Sequence, residues 1–338
     1  MRQFKRGHSR TSSDENKGPY FNLINTTVYD WYKQKHGSPS IDEIALVNSI
    51  EIENCPYCKS DKFVIYDHRK DGVKRLICKS CKRKFNPLTN TLFDSHKIPI
   101  SEWIEFIFHL LSYDSVLMSA YSNRNDSHTG YYWLNKLFIA IKDIQKDVML
   151  SGRIYIDETY LSVMPKDVIR KDGKKLRGLS RNKICIITAV DEHGHLLICA
   201  KGNGKPSKDK IKEVFENHIK KNSTIVHDGE KSHSILVEMY ELKEEIHPTK
   251  ETKGLKDKDN PMEPVNGVHR KIKRFIKAHG GYNRNNMQDW LNVIYFMIKT
   301  EKEKSIENVI ARLLKMIIST PKKLRYRDYQ IRKTQIIS

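Results

Sequence analysis

The sequence predicts an α/β fold: a mixed sheet with flanking helices in the C-terminal half, preceded by a small cysteine-rich module and a small helical domain. Three observations carry this prediction. Four of the six cysteines stand in two close pairs between residues 55 and 81. Two amphipathic stretches follow them. After residue 151, short apolar runs alternate with helical segments, which is typical of helices packed on a central sheet.

The charge of the chain favours a polyanionic partner. The 338 residues include 61 Lys and Arg against 41 Asp and Glu, a formal net charge of +20. Such an excess gives affinity for nucleic acid through counterion release, although lysines scattered over a surface without such a partner are the alternative. There is no apolar leader segment near the N-terminus and no run of about 18 apolar residues. The expectation is a cytoplasmic protein, associated with the nucleoid and without a membrane partner.

The N-terminal part is expected to carry no chemistry. Residues 1–20 are polar and basic, which predicts a flexible basic arm. Residues 21–52 are expected to form a helical lead-in, since IDEIALVNSI has apolar residues at helical spacing.

The cysteine pairs predict a zinc ribbon over residues 53–90. The residues concerned are Cys55 and Cys58, then Cys78 and Cys81. Two C-x-x-C turns at this separation, with a hairpin between them, can direct four thiolates at one Zn²⁺ and leave no position open for a substrate. The zinc is therefore expected to be structural, with redox or disulfide use as the alternative. The basic residues that crowd the module favour contact with DNA, or else form solvated loops.

Residues 98–150 are expected to form a helical DNA-binding region. The stretches ISEWIEFIFHLL and GYYWLNKLFIAIKDIQKDV have apolar residues at helical spacing. Helices in this position suggest a helix-turn-helix whose later helix enters the major groove. A plain helical linker is the alternative.

Two aspartates end two apolar strands in matching contexts. Asp157 follows RIYI, and Asp228 follows STIVH. Two strand ends can place both carboxylates on one rim of a sheet, where they can share Mg²⁺ or Mn²⁺. Metal ions held in this way support in-line phosphoryl displacement. Either aspartate taken alone is more often a turn or cap residue, but the repeated pattern favours a shared site.

The order of these aspartates and the segment NPMEPVNGVHRKIKRFIKAHGGYNRNNMQDWLNVIYF resemble the RNase H-like DDE transposases of insertion sequences, in particular the ISXO2-like group with an N-terminal zinc ribbon. The resemblance covers roughly residues 50–300. It implies an RNase H-like catalytic domain over residues 151–300. It also implies metal-dependent DNA cleavage and strand transfer, with terminal inverted repeats, target DNA and a second protomer as partners.

The resemblance also implies a third metal ligand on a later helix, normally Glu, followed by a basic residue that contacts DNA. This sequence has no Glu there; it has Asn266 and, one turn later, His269. The group tolerates Asn, so Asn266 is favoured and His269 is a close contender. Glu263 is expected to lie in a turn before the helix, and Asn266 could instead be the helix N-cap. The basic residues expected to contact DNA are Lys273, Arg270, Lys271 and Arg274.

Several nearby residues are expected to play lesser roles. Glu158 and His227 should point away from the two aspartates, and His233 is expected either to position DNA or to be a solvated residue at a helix start. Residues 301–338 are expected to be a basic C-terminal extension. Two other functions stay open: an RNase H-like nuclease or resolvase, and a zinc-ribbon regulator with an inactive RNase H-like domain.

Overall fold

The computed structural model describes residues 39–94, 98–122, 125–278 and 284–329. The predicted arm and residues 21–38 of the helical lead-in lie outside these ranges. The chain divides into two compact units, one containing Met1–Ile141 with Thr300–Ser338, and the other Lys142–Lys299.

The first unit begins with a short helix and a small sheet. Helix α1 (Glu43–Asn48) is capped by Asp42, whose side chain accepts hydrogen bonds from two backbone N–H groups of the first turn. Three antiparallel strands follow in the order β1-β2-β3: Phe63–His68, Lys74–Cys78 and Lys84–Phe85. The β1–β2 turn contains Gly72 at φ +88°, a conformation that glycine adopts readily. This is the hairpin that the sequence predicts between the cysteine pairs.

Three helices come next in this unit: α2 (Ile100–Leu111), α3 (Val116–Ser122) and α4 (Ser127–Ile141). The centre of their packing is a pair of fully buried indoles, Trp103 and Trp133, stacked with ring centroids 4.6 Å apart. Helix α2 has the predicted bounds. The helix predicted over 130–148 is shorter, since residues 142–147 form turns.

The second unit contains a five-stranded mixed sheet and a separate two-stranded ribbon. The strands of the sheet are β4 (Arg153–Ser162), β7 (Lys183–Asp191), β8 (Leu196–Asn203), β9 (Thr224–His227) and β10 (Lys243–Ile246). The ribbon consists of β5 (Arg170–Lys171) and β6 (Lys174–Lys175).

The strand order in the sheet is β10-β9-β4-β7-β8. Strands β4, β7 and β8 form an antiparallel meander, whereas β9 is parallel to both β4 and β10. This confirms the predicted fold class.

Helices cover both faces of the sheet. On one face, Ile154, Ile156 and Ile225 pack against residues of α5 (Lys208–Phe215) and α6 (Ser234–Tyr240). Helix α7 (Thr249–Thr252) is a single turn after β10. On the other face, the start of α8 (Glu263–Ala278) lies against β4 and β9, and α9 (Met287–Thr300) follows it. The central strands are therefore buried on both sides.

Helix α8 begins three residues earlier than the sequence predicts. It starts at Glu263, so Asn266 lies within its first turn and its backbone N–H donates to the carbonyl of Met262 at 3.0 Å. The N-cap alternative for Asn266 is wrong, as is the expectation that Glu263 lies in a turn before the helix. The cause is Pro264: a proline is tolerated in the first helical turn, where its missing N–H has no partner to lose.

A helix after residue 300 belongs to the first unit. Helix α10 (Ile306–Ser319) is capped by Ser305 and packs with its apolar side against α1, α2 and α4. The region predicted as a basic extension thus includes a helix that belongs to the core of that unit. Within the described ranges, no helix combines the length and apolar character needed to span a bilayer.

Candidate metal centres

The four paired cysteines come together at the base of the small sheet. One Sγ from each of Cys55, Cys58, Cys78 and Cys81 lies within 4.8 Å of the other three. Among the residues that the structure describes, they are the only group of three or more His, Cys, Asp or Glu with ligand atoms so close together. Four thiols in one cluster fit a tetrahedral Zn²⁺.

The backbone prepares one of these thiols to bind metal. The Cys81 N–H donates to Sγ of Cys78 at 3.4 Å. This hydrogen bond lowers the pKa of Cys78 to about 6 despite its burial. The metal-binding form of the ligand is therefore favoured at neutral pH, and the zinc ribbon predicted over this region has the donor set it needs.

The sheet of the second unit places the two aspartates level with each other. Tyr155 pairs with Val226 in the parallel β4–β9 ladder. Two residues further along the chain, on the same side of the pleat, come Asp157 and Asp228. Asp157 lies in the middle of β4 and pairs with Thr188 of β7, whereas Asp228 follows the last residue of β9. The prediction that an apolar strand ends at each aspartate is therefore wrong for Asp157, because β4 continues along β7 to Ser162. Both carboxylates still lie at one place, the aspartate edge where β9 ends, and the charge of Asp228 acts on Asp157.

Helix α8 lies over this edge. Its residue Val265 packs with Met262 against Tyr155 and Val226, the residues that precede the aspartates on the same face. One turn further along the helix, Nδ1 of His269 lies 3.6 Å from Oδ2 of Asp157. His269 is therefore in contact with the first aspartate, and half-buried Asn266 lies one turn before it on the same helical face.

The electrostatics of Asp157 indicate a place for a cation. Burial, then the charges of Glu158 and Asp228, raise the pKa of Asp157 to about 7. Repulsion between these carboxylates raises the pKa more than the charge of His233 lowers it, and a divalent cation would reverse the repulsion. Nε2 of His269 is buried and has no hydrogen-bond partner among the described residues. Carboxylate, imidazole and amide groups form a donor set that fits Mg²⁺ or Mn²⁺.

The opposite face of the same two strands carries a buried hydrogen-bonded chain. Oε1 of Glu158 lies 2.8 Å from Nε2 of His233. The other ring nitrogen of His233, Nδ1, lies 3.1 Å from Nδ1 of His227. Nε2 of His227 lies 3.0 Å from Oε1 of Glu244. Glu158 and His227 do point away from the aspartates, as expected. The alternative of a solvated His233 is wrong, because its side chain is fully buried.

The sequence analysis did not identify this chain. Its only visible signal is position: Glu158 follows Asp157 and His227 precedes Asp228, so strand alternation puts both on the second face. Nothing in the sequence indicates that His233, five residues beyond Asp228, turns back to join them.

The basic residues of α8 differ in their surroundings. Lys273, Arg274 and Arg270 are exposed, and Lys271 is half-buried. The guanidinium of Arg270 forms ion pairs with Glu263, one of them 3.1 Å long, and with Asp257 at 3.4 Å. Lys273 lies one turn beyond His269, close enough for its charge to lower the pKa of the imidazole. Lys273 is thus linked electrostatically to the residue that contacts Asp157.

Parts of the chain are similar to known proteins. Residues 149–299 match the model of the ISXO2-like transposase domain. Over 126 residues the chain is also 25% identical to an uncharacterized protein in transposable element ISH50 of Halobacterium salinarum, a match that spans 37% of this chain and 42% of that protein. The chain thus spans less than half the length of this relative. The region matched by the domain model contains the whole five-stranded sheet and helix α8, and excludes the cysteine cluster.

Proposed function

We propose that this chain is the transposase of a bacterial insertion sequence, because residues 149–299 match the model of the ISXO2-like transposase domain. It binds the terminal inverted repeats of the element, cuts the DNA there, and joins the freed 3′ ends to target DNA. It acts in the cytoplasm on the nucleoid. Two ends must be joined in one event, so the active complex contains at least two copies of the chain.

One observation carries this proposal: Asp157 of β4 and Asp228, just after β9, each lie two residues beyond the last pair of the parallel β4–β9 ladder, beneath a helix that brings His269 against Asp157. The two carboxylates hold Mg²⁺ or Mn²⁺, with Asn266 or His269 as the third ligand. An ion held by these residues would supply the charge stabilisation needed for in-line attack on a phosphodiester, first by water and then by a 3′-hydroxyl. Lys273 binds a nearby phosphate and thereby orients the DNA strand.

The first unit recognises the DNA. The cluster of Cys55, Cys58, Cys78 and Cys81 binds a structural zinc ion, which replaces the apolar core that so small a module lacks. We propose the ribbon, residues 53–90, and the helical region, residues 98–150, as the parts that contact the element ends. The basic side chains of the ribbon supply the salt-dependent affinity for phosphates.

A strand-transfer assay tests the function. The substrate is a precleaved duplex carrying an element end, and a supercoiled plasmid is the target. We expect Asp157→Ala and Asp228→Ala each to reduce nicking and joining by about 10²- to 10³-fold or more, while duplex binding is retained. Asp209→Ala, which removes an exposed carboxylate from the first turn of α5, is the matched control and should have full activity.

The observation that favours a second function is the amide at Asn266, where the resembled group normally has a carboxylate. A regulator with an inactive RNase H-like domain would bind duplex DNA specifically but show no metal-dependent nicking. A nuclease would nick but would not join a precleaved end. The same assay therefore separates all three functions.

A further inference from the structure

The hydrogen-bonded chain Glu158–His233–His227–Glu244 has no role in the chemistry proposed above, yet it is among the most buried polar features of the second unit. His233 is fully buried, His227 is 2% exposed, and the side chain of Glu158 is 5% exposed. Removing one partner from a buried group of this kind leaves the other unsatisfied, which is costly. A polar chain placed here needs a structural or functional reason.

The direction of the hydrogen bonds follows from one backbone donor. The N–H of Gly229 donates to Nδ1 of His227 at 3.3 Å, so this nitrogen is an acceptor and Nε2 of His227 carries the proton given to Glu244. Nδ1 of His233 therefore donates to His227, and its Nε2 faces Glu158. Both edges of the His233 ring are engaged, which fixes its orientation.

The contact between His233 and Glu158 joins two residues that lie far apart in the sequence. The residue ends a short 3₁₀ helix, Lys231–His233, which follows Asp228 after a turn at Gly229 with φ +91°. Its bond to Glu158 joins this segment to β4 at the residue next to Asp157. The parallel ladder itself ends at Tyr155 and Val226, two residues before the aspartates. Beyond that point the bond from His233 to Glu158 ties the segment after β9 to β4, which itself continues to Ser162.

We propose that His233 is a positioning residue that sets the separation of Asp157 and Asp228 by bonding the segment after the second aspartate to the side chain beside the first. This role rests on the proposed metal site and deepens it. The clamp lies on the sheet face opposite the site, so it touches neither the ion nor the DNA. It acts by limiting the movement of the segment that carries Asp228, which lies beyond the end of β9, relative to β4, which is held by its pairing with β7 as far as Ser162. Fixing this separation matters because a ligand pair binds an ion tightly only when its geometry is fixed.

Two substitutions at His233 separate its bond to Glu158 from its bond to His227. In His233→Gln the amide nitrogen can reach the position of Nε2 and keep the bond to Glu158. In His233→Asn the shorter side chain can keep the bond to His227 but cannot reach Glu158. The matched control is His218→Gln, in the same unit but away from the aspartates, which removes the bond from the His218 ring to the carbonyl of Val148.

The measurement is the dissociation constant for Mn²⁺ on zinc-loaded full-length protein, from electron paramagnetic resonance of the free ion, together with the melting temperature. We expect His233→Asn to weaken Mn²⁺ binding about tenfold, and His233→Gln to stay close to the parent protein. His218→Gln should lower the melting temperature without changing the affinity. In nicking assays, excess Mn²⁺ should restore the rate of His233→Asn, because this substitution weakens metal binding without removing a metal ligand.

The proposal is overturned if folded His233→Asn binds Mn²⁺ as tightly as the parent protein, or if His218→Gln weakens binding equally. Should His233→Asn fail to fold, Glu158→Met decides: it keeps the volume and removes the acceptor, and an unchanged affinity would refute the clamp. The metal site is tested separately by Asp157→Ala. If that variant still binds Mn²⁺ normally, the proposed function fails; if it loses binding while His233→Asn does not, only the clamp fails.

Discussion

His269 faces Asp157 with its Nδ1 3.6 Å from the carboxylate Oδ2. Burial, and then the charge of Lys273, lower the pKa of His269 to about 4, so the ring is neutral at neutral pH and has one free lone pair. Helix α8 therefore brings a neutral nitrogen donor to the aspartate edge, and Asn266 adds a neutral oxygen donor one turn earlier. The two donors differ in the metal they prefer, which gives a means of telling them apart.

Substitutions on α8 should identify the third ligand. We expect Asn266→Ala to reduce nicking by about 10²-fold or more with both metals, and Asn266→Asp to retain activity because it supplies a hard oxygen ligand. His269→Ala should reduce Mn²⁺-dependent nicking more than Mg²⁺-dependent nicking, since imidazole suits Mg²⁺ poorly. Rates at several concentrations of each metal provide the measurement. A fully active Asn266→Ala would exclude the amide as a ligand.

Zinc removal should unfold the ribbon. In Cys78→Ser we expect the loss of stoichiometric zinc and of specific end binding, because structural zinc contributes about 10–16 kcal/mol to the folding of such modules. Mn²⁺ binding by the second unit should persist. Zinc release to a chromogenic chelator and gel-shift titration measure the two effects. Cys199→Ser is the matched control, since this half-buried thiol lies on β8, outside the cluster; loss of zinc from that variant would contradict the assignment.

Two basic residues of α8 should contribute unequally to DNA binding. We expect Lys273→Ala to weaken binding to all duplexes and to reduce the slope of log affinity against log salt by about one. Arg270→Ala should have a smaller effect, because Glu263 and Asp257 already neutralise this guanidinium. Fluorescence anisotropy over a range of salt concentrations measures both slopes. Equal slopes for the two variants would indicate that the ion pairs of Arg270 open when DNA binds.

The first unit buries a lysine that should make its stability depend on pH. Lys136 is 2% exposed, its Nζ donates to the carbonyl of Leu92 at 2.6 Å and lies 4.6 Å from the ring centroid of Tyr132. Burial lowers its pKa from 10.5 to about 8. Below about pH 8 the amine is protonated in both the folded and the unfolded state, so the full cost of burying a charge is present.

Between about pH 8 and 10.5 the unfolded chain binds more protons than the folded chain, so the free energy of unfolding rises with pH. We expect a gain of about 2 kcal/mol from this group between about pH 7 and about pH 9.5. Lys136→Met should lack this gain. The difference between the urea midpoints of the two proteins, followed across this range, measures it. A difference independent of pH would show that the pKa of the buried amine is not lowered, so that Lys136 stays protonated in both states over this range.

The sequence predicts the elements of this structure better than their mutual contacts. The spacing of four cysteines is enough to predict their cluster, and the apolar run before Asp228 predicts the end of β9. The same pattern before Asp157 does not mark a strand end, because β4 continues to Ser162 in its pairing with β7. The contact between Glu158 and His233 depends on where β9 ends and how its following segment turns, which no local pattern encodes. The start of α8 was predicted too late because Pro264 resembles a boundary, although the first helical turn accepts it. The ion pairs of Arg270 depend on the path of the loop before the helix.

Asp157 and Glu158 are adjacent on β4, but their side chains have different partners because successive side chains of a strand lie on opposite faces of the sheet. A deletion of one residue between Ile154 and Asp157 would shift every later side chain of β4 to the other side of the pleat. Asp157 would then be directed toward His233, and Glu158 would take its place beneath α8. Asp157 and Glu158 would both remain in the sequence, but each would face the surroundings that the other has now. Substitutions within this strand are therefore far safer than any change in its length.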